Sequence, residues 1–140
     1  MELIGITLIL LHFIAIADSY SGGADPGACV SLAPGHGAEV QTSTSPYSIT
    51  SSSTSYSNGQ TVTVTISASP VQFKGILLQA RRTNGNTTPV GTWQTPPIGF
   101  KFLQCSAPGD SITHSNSDLK ATVSFVWVAP STGNEDIQFV

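Results

Sequence analysis

Charge is what this chain has least of. Only 9% of its 140 residues are Asp, Glu, Lys or Arg, with eight acids against five bases. A formal charge of −3, or −2 if Glu2 is removed with an N-terminal leader, gives no general field for holding a nucleic-acid backbone. Cysteine is nearly absent. Cys29 and Cys105 form no Cys-x-x-Cys pair and have no cluster of cationic neighbours, which argues against reactive thiols or a thiolate metal site. Catalytic material is scarce as well: Gly-x-Ser-x-Gly, His-Glu-x-x-His and a Gly-rich phosphate loop are all missing. Paired carboxylates would have to come from Asp18, Asp25, Glu39, Asp110, Asp118, Glu135 and Asp136, most of them in loop-like or terminal stretches where solvation explains them. Neither enzymatic chemistry nor a cofactor is expected. No amphipathic helix of useful length is present, and no apolar run beyond the N-terminus is long enough to span a bilayer.

That N-terminal run, residues 3–17, is apolar apart from Gly5, Thr7 and His12, and Ala15-Ile16-Ala17 fits a small-x-small cleavage site. It falls short of the roughly 20 residues a membrane span requires. The reading is a signal peptide over residues 1–17 and one exported domain over 18–140, although the leader's first residues carry Glu2 and no Lys or Arg. In an oxidising compartment two cysteines favour one disulfide. Joining Cys29 to Cys105 closes a loop of 76 residues, for which chain entropy gives about 4 to 5 kcal/mol.

Serine, threonine, glycine and proline fill the space that charge leaves. Residues 20–39 are punctuated by Gly and Pro and read as an extended lead-in pinned at Cys29. Twelve of residues 42–57 are Ser or Thr, a density also found in O-glycosylated stalks. Tyr47 and Ile49 alternate with polar neighbours there, so a half-exposed strand is preferred. After the Asn58-Gly59 turn signal, Val62, Val64 and Ile66 alternate with Thr61, Thr63 and Thr65, giving one aliphatic and one hydroxyl face. Further strands are expected over 73–82, 90–94, 100–105, 111–115, 121–128 and from 137 to the last residue. In the 121–128 segment Val123, Phe125 and Trp127 share a face. Seven or eight short strands with frequent turns point to an all-β antiparallel sandwich.

The segment Phe73-Lys74-Gly75-Ile76-Leu77-Leu78-Gln79-Ala80-Arg81 closely resembles the signature strand of the reelin domain (reeler) family. Further matches are Cys29 with Pro34-Gly35-His36-Gly37, Tyr56 through Gly59-Gln60, Gly91-Thr92-Trp93, Cys105, Thr113-His114-Ser115, and Phe125-Val126-Trp127 leading to Ala129-Pro130. The resemblance implies an immunoglobulin-like β-sandwich. It also implies one of three settings: a secreted insect-type defence module that binds microbial surface molecules, the outer domain of a ferric-chelate reductase-like membrane protein, or a matrix-contact domain as in reelin and spondin. Family members usually continue for another strand or so beyond this point.

Within that frame several residues are candidates. No acid occurs between Glu39 and Asp110, while Lys74, Arg81, Arg82 and Lys101 fall in that interval. If their strands are neighbours they form a cationic patch for phosphate or sulfate, on an anionic microbial lipid or sulfated glycan. Scattered solubilising charge is the plainer alternative. Trp93 is a candidate sugar-stacking platform, with core or edge packing the preferred reading. Asn86-Thr87-Thr88 is an N-glycosylation sequon in an expected turn. A metal site at His36 and His114 would need Glu39 or Asp110 as a further ligand; hydrogen bonding of the histidines to loop backbone is preferred, and no metal is expected.

Overall fold

The computed structural model describes residues 20–35, 37 and 41–140. The expected leader, His36 and Glu39 lie outside the described residues. Among the described residues, eight strands form two four-stranded antiparallel sheets: β1 (Tyr47–Ser51), β2 (Thr61–Ala68), β3 (Leu77–Arg82), β4 (Thr92–Trp93), β5 (Phe100–Leu103), β6 (Ser111–His114), β7 (Thr122–Val128) and β8 (Ile137–Phe139). One sheet runs β1-β2-β7-β4 and the other β5-β6-β3-β8. The architecture is the immunoglobulin-like all-β sandwich. A 3₁₀ turn (Pro26–Cys29), capped by Asp25 accepting from the Gly27 N–H at 2.7 Å, interrupts the lead-in that reads from sequence as extended.

Alternation produces the core. On β2 the side chains of Val62, Val64, Ile66 and Ala68 point inward. Beside them in the same sheet, β7 turns Phe125 and Trp127 inward as well, with Val123 partly buried. The outward hydroxyls pair across the strands, Thr65 Oγ1 lying 2.7 Å from Ser124 Oγ where the two residues are in register. Trp93, Phe100, Phe139 and Tyr56 pack edge-on or tilted around Phe125 and Trp127, with ring centroids 5.0 to 6.3 Å apart.

The two largest departures from the expected strands, at 73–82 and 90–94, have identifiable reasons. The ladder of β3 begins at Leu77 rather than residue 73, because Phe73 pairs with Lys120 as an isolated bridge and Gly75 passes hard against the His114 ring. A Cβ on Gly75 would sit 2.7 Å from His114 Cε1. The segment expected as a strand over 90–94 changes sheets. Val90 N–H donates to Ala80 O at 2.8 Å on β3, whereas Thr92 and Trp93 pair with Val128 and Trp127 on β7. Gly91, at φ +69, makes the switch.

Both faces of β3 are covered. Leu78 and Ala80 face the core, yet Gln79 and Arg81 are buried too, at 0% and 9% exposure. Residues 20–35 lie over the outer face of this sheet as a strap. The disulfide between Cys29 and Cys105, with Cα atoms 5.6 Å apart, fastens it.

Candidate functional site

Hydrogen bonds hold the strap at several points. Ala24 N–H donates to Thr113 Oγ1 at 2.9 Å, and that hydroxyl donates on to Ile76 O at 2.8 Å. His114 Nε2 lies 2.9 Å from Tyr20 O, and Ile76 N–H lies 3.2 Å from Nδ1. Both His114 nitrogens are therefore engaged with backbone. No group of three or more His, Cys, Asp or Glu side chains placed to share a metal ion occurs among the described residues.

Between the strap and the start of β3 lies a cleft of about 630 Å³. Its walls are Tyr20, Ala24, Ala28, Leu32 and Pro34 on one side and Ile76 and Leu77 on the other, with Lys74 among the lining residues. Asp25 also lines it. A second hollow, about 620 Å³, opens where β1 and β3 end and β8 begins, among Ser51, Ser53 and Ser55 and the acids Glu135 and Asp136. The first has the character of a ligand site, mostly apolar with a few polar groups.

The four cations read as a patch from sequence are not brought together. Arg81 is interior: its Nε donates to Gln79 Oε1 at 2.8 Å, and its two terminal nitrogens donate to the carbonyls of Val30 and Cys29. Burial lowers its pKa from the ordinary arginine value. The guanidinium is thus a clamp on the strap beside the disulfide and cannot meet an external anion. Arg82 is paired with Glu135 at 2.8 Å. Lys74 lines the cleft, and Lys101 is exposed on β5 with its stem against Gly23, where a Cβ would come within 2.7 Å of Lys101 Cε. Lys74 and Lys101 are the two of the four that remain for a ligand.

Trp93 is also interior, 4% exposed, with its indole N–H donating to Asp110 O at 3.2 Å, so it offers no stacking face to a sugar. Asn86 is exposed in the β3–β4 connection, and its side-chain oxygen accepts from Thr88 N–H at 2.8 Å.

Two further residues have roles that sequence reasoning did not single out. Asp110, 1% exposed, accepts from the N–H groups of Cys105, Ser106 and Ala107 and from the Ser106 and Ser111 hydroxyls, at 2.7 to 3.0 Å. Burial raises its carboxyl pKa, but the donors from Cys105, Ala107 and Ser106 outweigh burial and hold it below the ordinary value. The turn letters Ala107-Pro108-Gly109 just before it were the available signal. Lys120 places its ammonium among the carbonyls of Lys74, Asn116 and Asp118 and the Asn116 amide oxygen, with the Phe100 ring 5.6 Å away.

The Reeler domain model matches residues 27–140 of this sequence. The chain belongs to the Reeler domain family. Its relatives include "Putative defense protein 3" of Antheraea mylitta, 38% identical over 91% of this chain and 77% of that protein. "Putative ferric-chelate reductase 1" of Danio rerio is 31% identical over 94% of this chain, but that match spans only 23% of the reductase. Among solved structures, the human F-spondin reeler domain aligns with a TM-score of 0.55 at 26% identity, over 64% of this chain and 70% of that one. This Reeler domain shares its sandwich with the F-spondin reeler domain and most of its length with proteins named for defence. No helix among the described residues is long and apolar enough to cross a membrane.

Proposed function

We propose that this Reeler domain is a secreted, non-enzymatic recognition module of innate defence that binds anionic microbial surface amphiphiles or sulfated glycans. The observation that carries the reading is the cleft between strap and β3, whose apolar walls suit an acyl chain or sugar face and whose Lys74 suits a phosphate or sulfate group. Lys101, exposed beside the strap, extends the basic character toward β5. The likeness in length and sequence to a protein named for defence supports the biological setting. The disulfide, the Arg81 clamp and the Asp110 turn keep the cleft preformed, which lowers the entropy lost on binding. An N-linked glycan on Asn86 and a cleaved leader at residues 1–17 belong to the same reading.

The test is calorimetric titration of oxidised protein with lipopolysaccharide and with heparin. Lys74→Ala with Lys101→Ala weakens binding several-fold and flattens its salt dependence, and Ala28→Phe, which fills the cleft, abolishes it. Unchanged affinity in both variants, with melting curves intact, overturns the assignment. Peptide N-glycosidase treatment of secreted protein checks Asn86 by a mass shift that Asn86→Gln lacks.

The zebrafish reductase match favours a second reading, in which this Reeler domain is the outer part of a longer redox protein. A full-length transcript extending through apolar 20-residue segments decides for it, and a stop codon within about one strand of Val140 decides against it.

A further inference from the structure

Three connections meet at one end of the sandwich: β2–β3 (residues 69–76), β4–β5 (94–99) and β6–β7 (115–121). Strands β2, β4 and β6 run toward that end, and β3, β5 and β7 leave it. Each connection bares one aliphatic side chain: Val71 is 54% exposed, Ile98 102% and Leu119 60%. Among the described residues, Val30 on the strap is the one other Val, Leu or Ile more than half exposed. Single exposed aliphatics are ordinary. Three on neighbouring loops of one end form a feature.

The loops that carry them are braced. Phe73 and Lys120 exchange both backbone bonds, at 3.0 and 2.8 Å, and Ser115 N–H donates to Gly99 O at 2.9 Å. The Lys120 ammonium ties Lys74, Asn116 and Asp118 together at 2.7 to 3.1 Å. These bonds satisfy the loops' polar groups internally and leave the tips pointing out. Tips held this way lose little freedom when covered. Charge favours an anionic occupant. Lys74 and Lys120 stand on these loops against one acid, Asp118, and the Lys120 charge is met by neutral oxygens only. At the opposite end lie Glu135 and Asp136 in the β7–β8 connection. Polar residues Gln72, Asn116 and Ser117 stand on the same loops as the aliphatic tips, a mixture unlike the apolar centre of a protein–protein interface. A headgroup layer accommodates separated tips.

We propose that this end docks on an anionic phospholipid bilayer, with Val71, Ile98 and Leu119 entering the acyl boundary, Lys74 facing the phosphate layer and the internally bonded Lys120 adding its charge to the local positive field. Apolar insertion and attraction to anionic headgroups act together on such a surface. The docking end shares Lys74 with the cleft rim, but Val71, Ile98 and Leu119 lie outside the cleft lining, so substitutions at these tips test docking separately from the cleft.

The experiment uses the whole oxidised protein with vesicles of phosphatidylcholine alone and of phosphatidylcholine mixed with phosphatidylglycerol, with binding read by co-sedimentation. Wild type binds the mixed vesicles more strongly, and added salt weakens that binding. Ile98→Ser and Leu119→Ser each lower partitioning by about tenfold, the scale for removing one inserted aliphatic side chain. Both keep the melting temperature and the binding of a monomeric anionic amphiphile in the cleft. With Ile98→Trp, brominated lipid quenches the introduced indole, whereas Trp93 and Trp127, 4% and 0% exposed, stay unquenched. Absence of vesicle binding, binding indifferent to the serine substitutions, an unquenched indole, or vesicle binding lost only with Ala28→Phe overturns the proposal.

Discussion

The Asp110 carboxylate gathers five donors within one turn and holds the chain beside Cys105 in place. Asp110→Asn turns one acceptor oxygen into an NH₂ group aimed at N–H donors, and a loss of about 3 kcal/mol in urea unfolding is expected. The pH dependence has a definite sign. A carboxyl held below its unfolded value contributes stability that is present above about pH 3.9 and is lost as pH falls through the lower folded value. The difference in stability between wild type and Asp110→Asn therefore shrinks below about pH 4 and holds constant above it; a difference independent of pH from 2 to 7 contradicts this assignment. Arg81 and Arg82 are neighbours in sequence with opposite energetics. Arg81→Lys keeps a charge but loses the fork that spans Cys29 and Val30, leaving strap carbonyls unmet, and costs about 2 kcal/mol. Arg82→Ala removes an exposed ion pair, 27% and 46% accessible on its two sides, and changes stability by about 0.5 kcal/mol or less. Thermal melts of the two variants side by side check the contrast.

At the scale of elements, the strand after the β3–β4 turn shows how one residue reroutes the chain. Gly91 sits at φ +69, and a Cβ there would lie 2.5 Å from Val128 O and 2.6 Å from Trp127 Nε1. Gly91→Ala therefore combines left-handed strain with a clash against an immovable indole whose N–H donates to Val90 O at 2.9 Å. A loss of about 3 kcal/mol is expected, with weakened near-ultraviolet circular dichroism from Trp127 as its signature. The period-two alternation made the inward faces of β2 and β7 legible, because Val62, Val64, Ile66, Phe125 and Trp127 need only know which side is buried. It did not show that β3 is covered twice. Gln79 and Arg81 occupy positions that alternation assigns to solvent, and they are buried because a strap distant in sequence lies over them.

For the molecule as a whole, the disulfide ties that strap to the β5–β6 connection across 76 residues of chain. Reduction removes about 4 to 5 kcal/mol by loop-closure entropy, a large part of the stability of a domain of this size. The oxidised and reduced forms should differ correspondingly in urea midpoint, and limited proteolysis of the reduced form should cut first in residues 20–35. The strap is also one wall of the cleft, so reduction should abolish ligand binding before it unfolds the sandwich core.

Sequence by itself determined the all-β class, the two-layer architecture and the inward residues of its best strands, since those follow from local periodicity and turn chemistry. It also determined that Cys29 and Cys105 are the two sulfurs for any bridge. Tertiary structure alone decided which cations are available. Lys74 and Arg81 look alike in a one-dimensional reading of charge, and only the path of the strap separates an amine on a cleft from a guanidinium spent on carbonyls. The same holds for Ile98 and Trp93. They lie five residues apart around the Pro96-Pro97 pair, yet one stands in water and the other closes the core, because burial depends on segments far away in the chain.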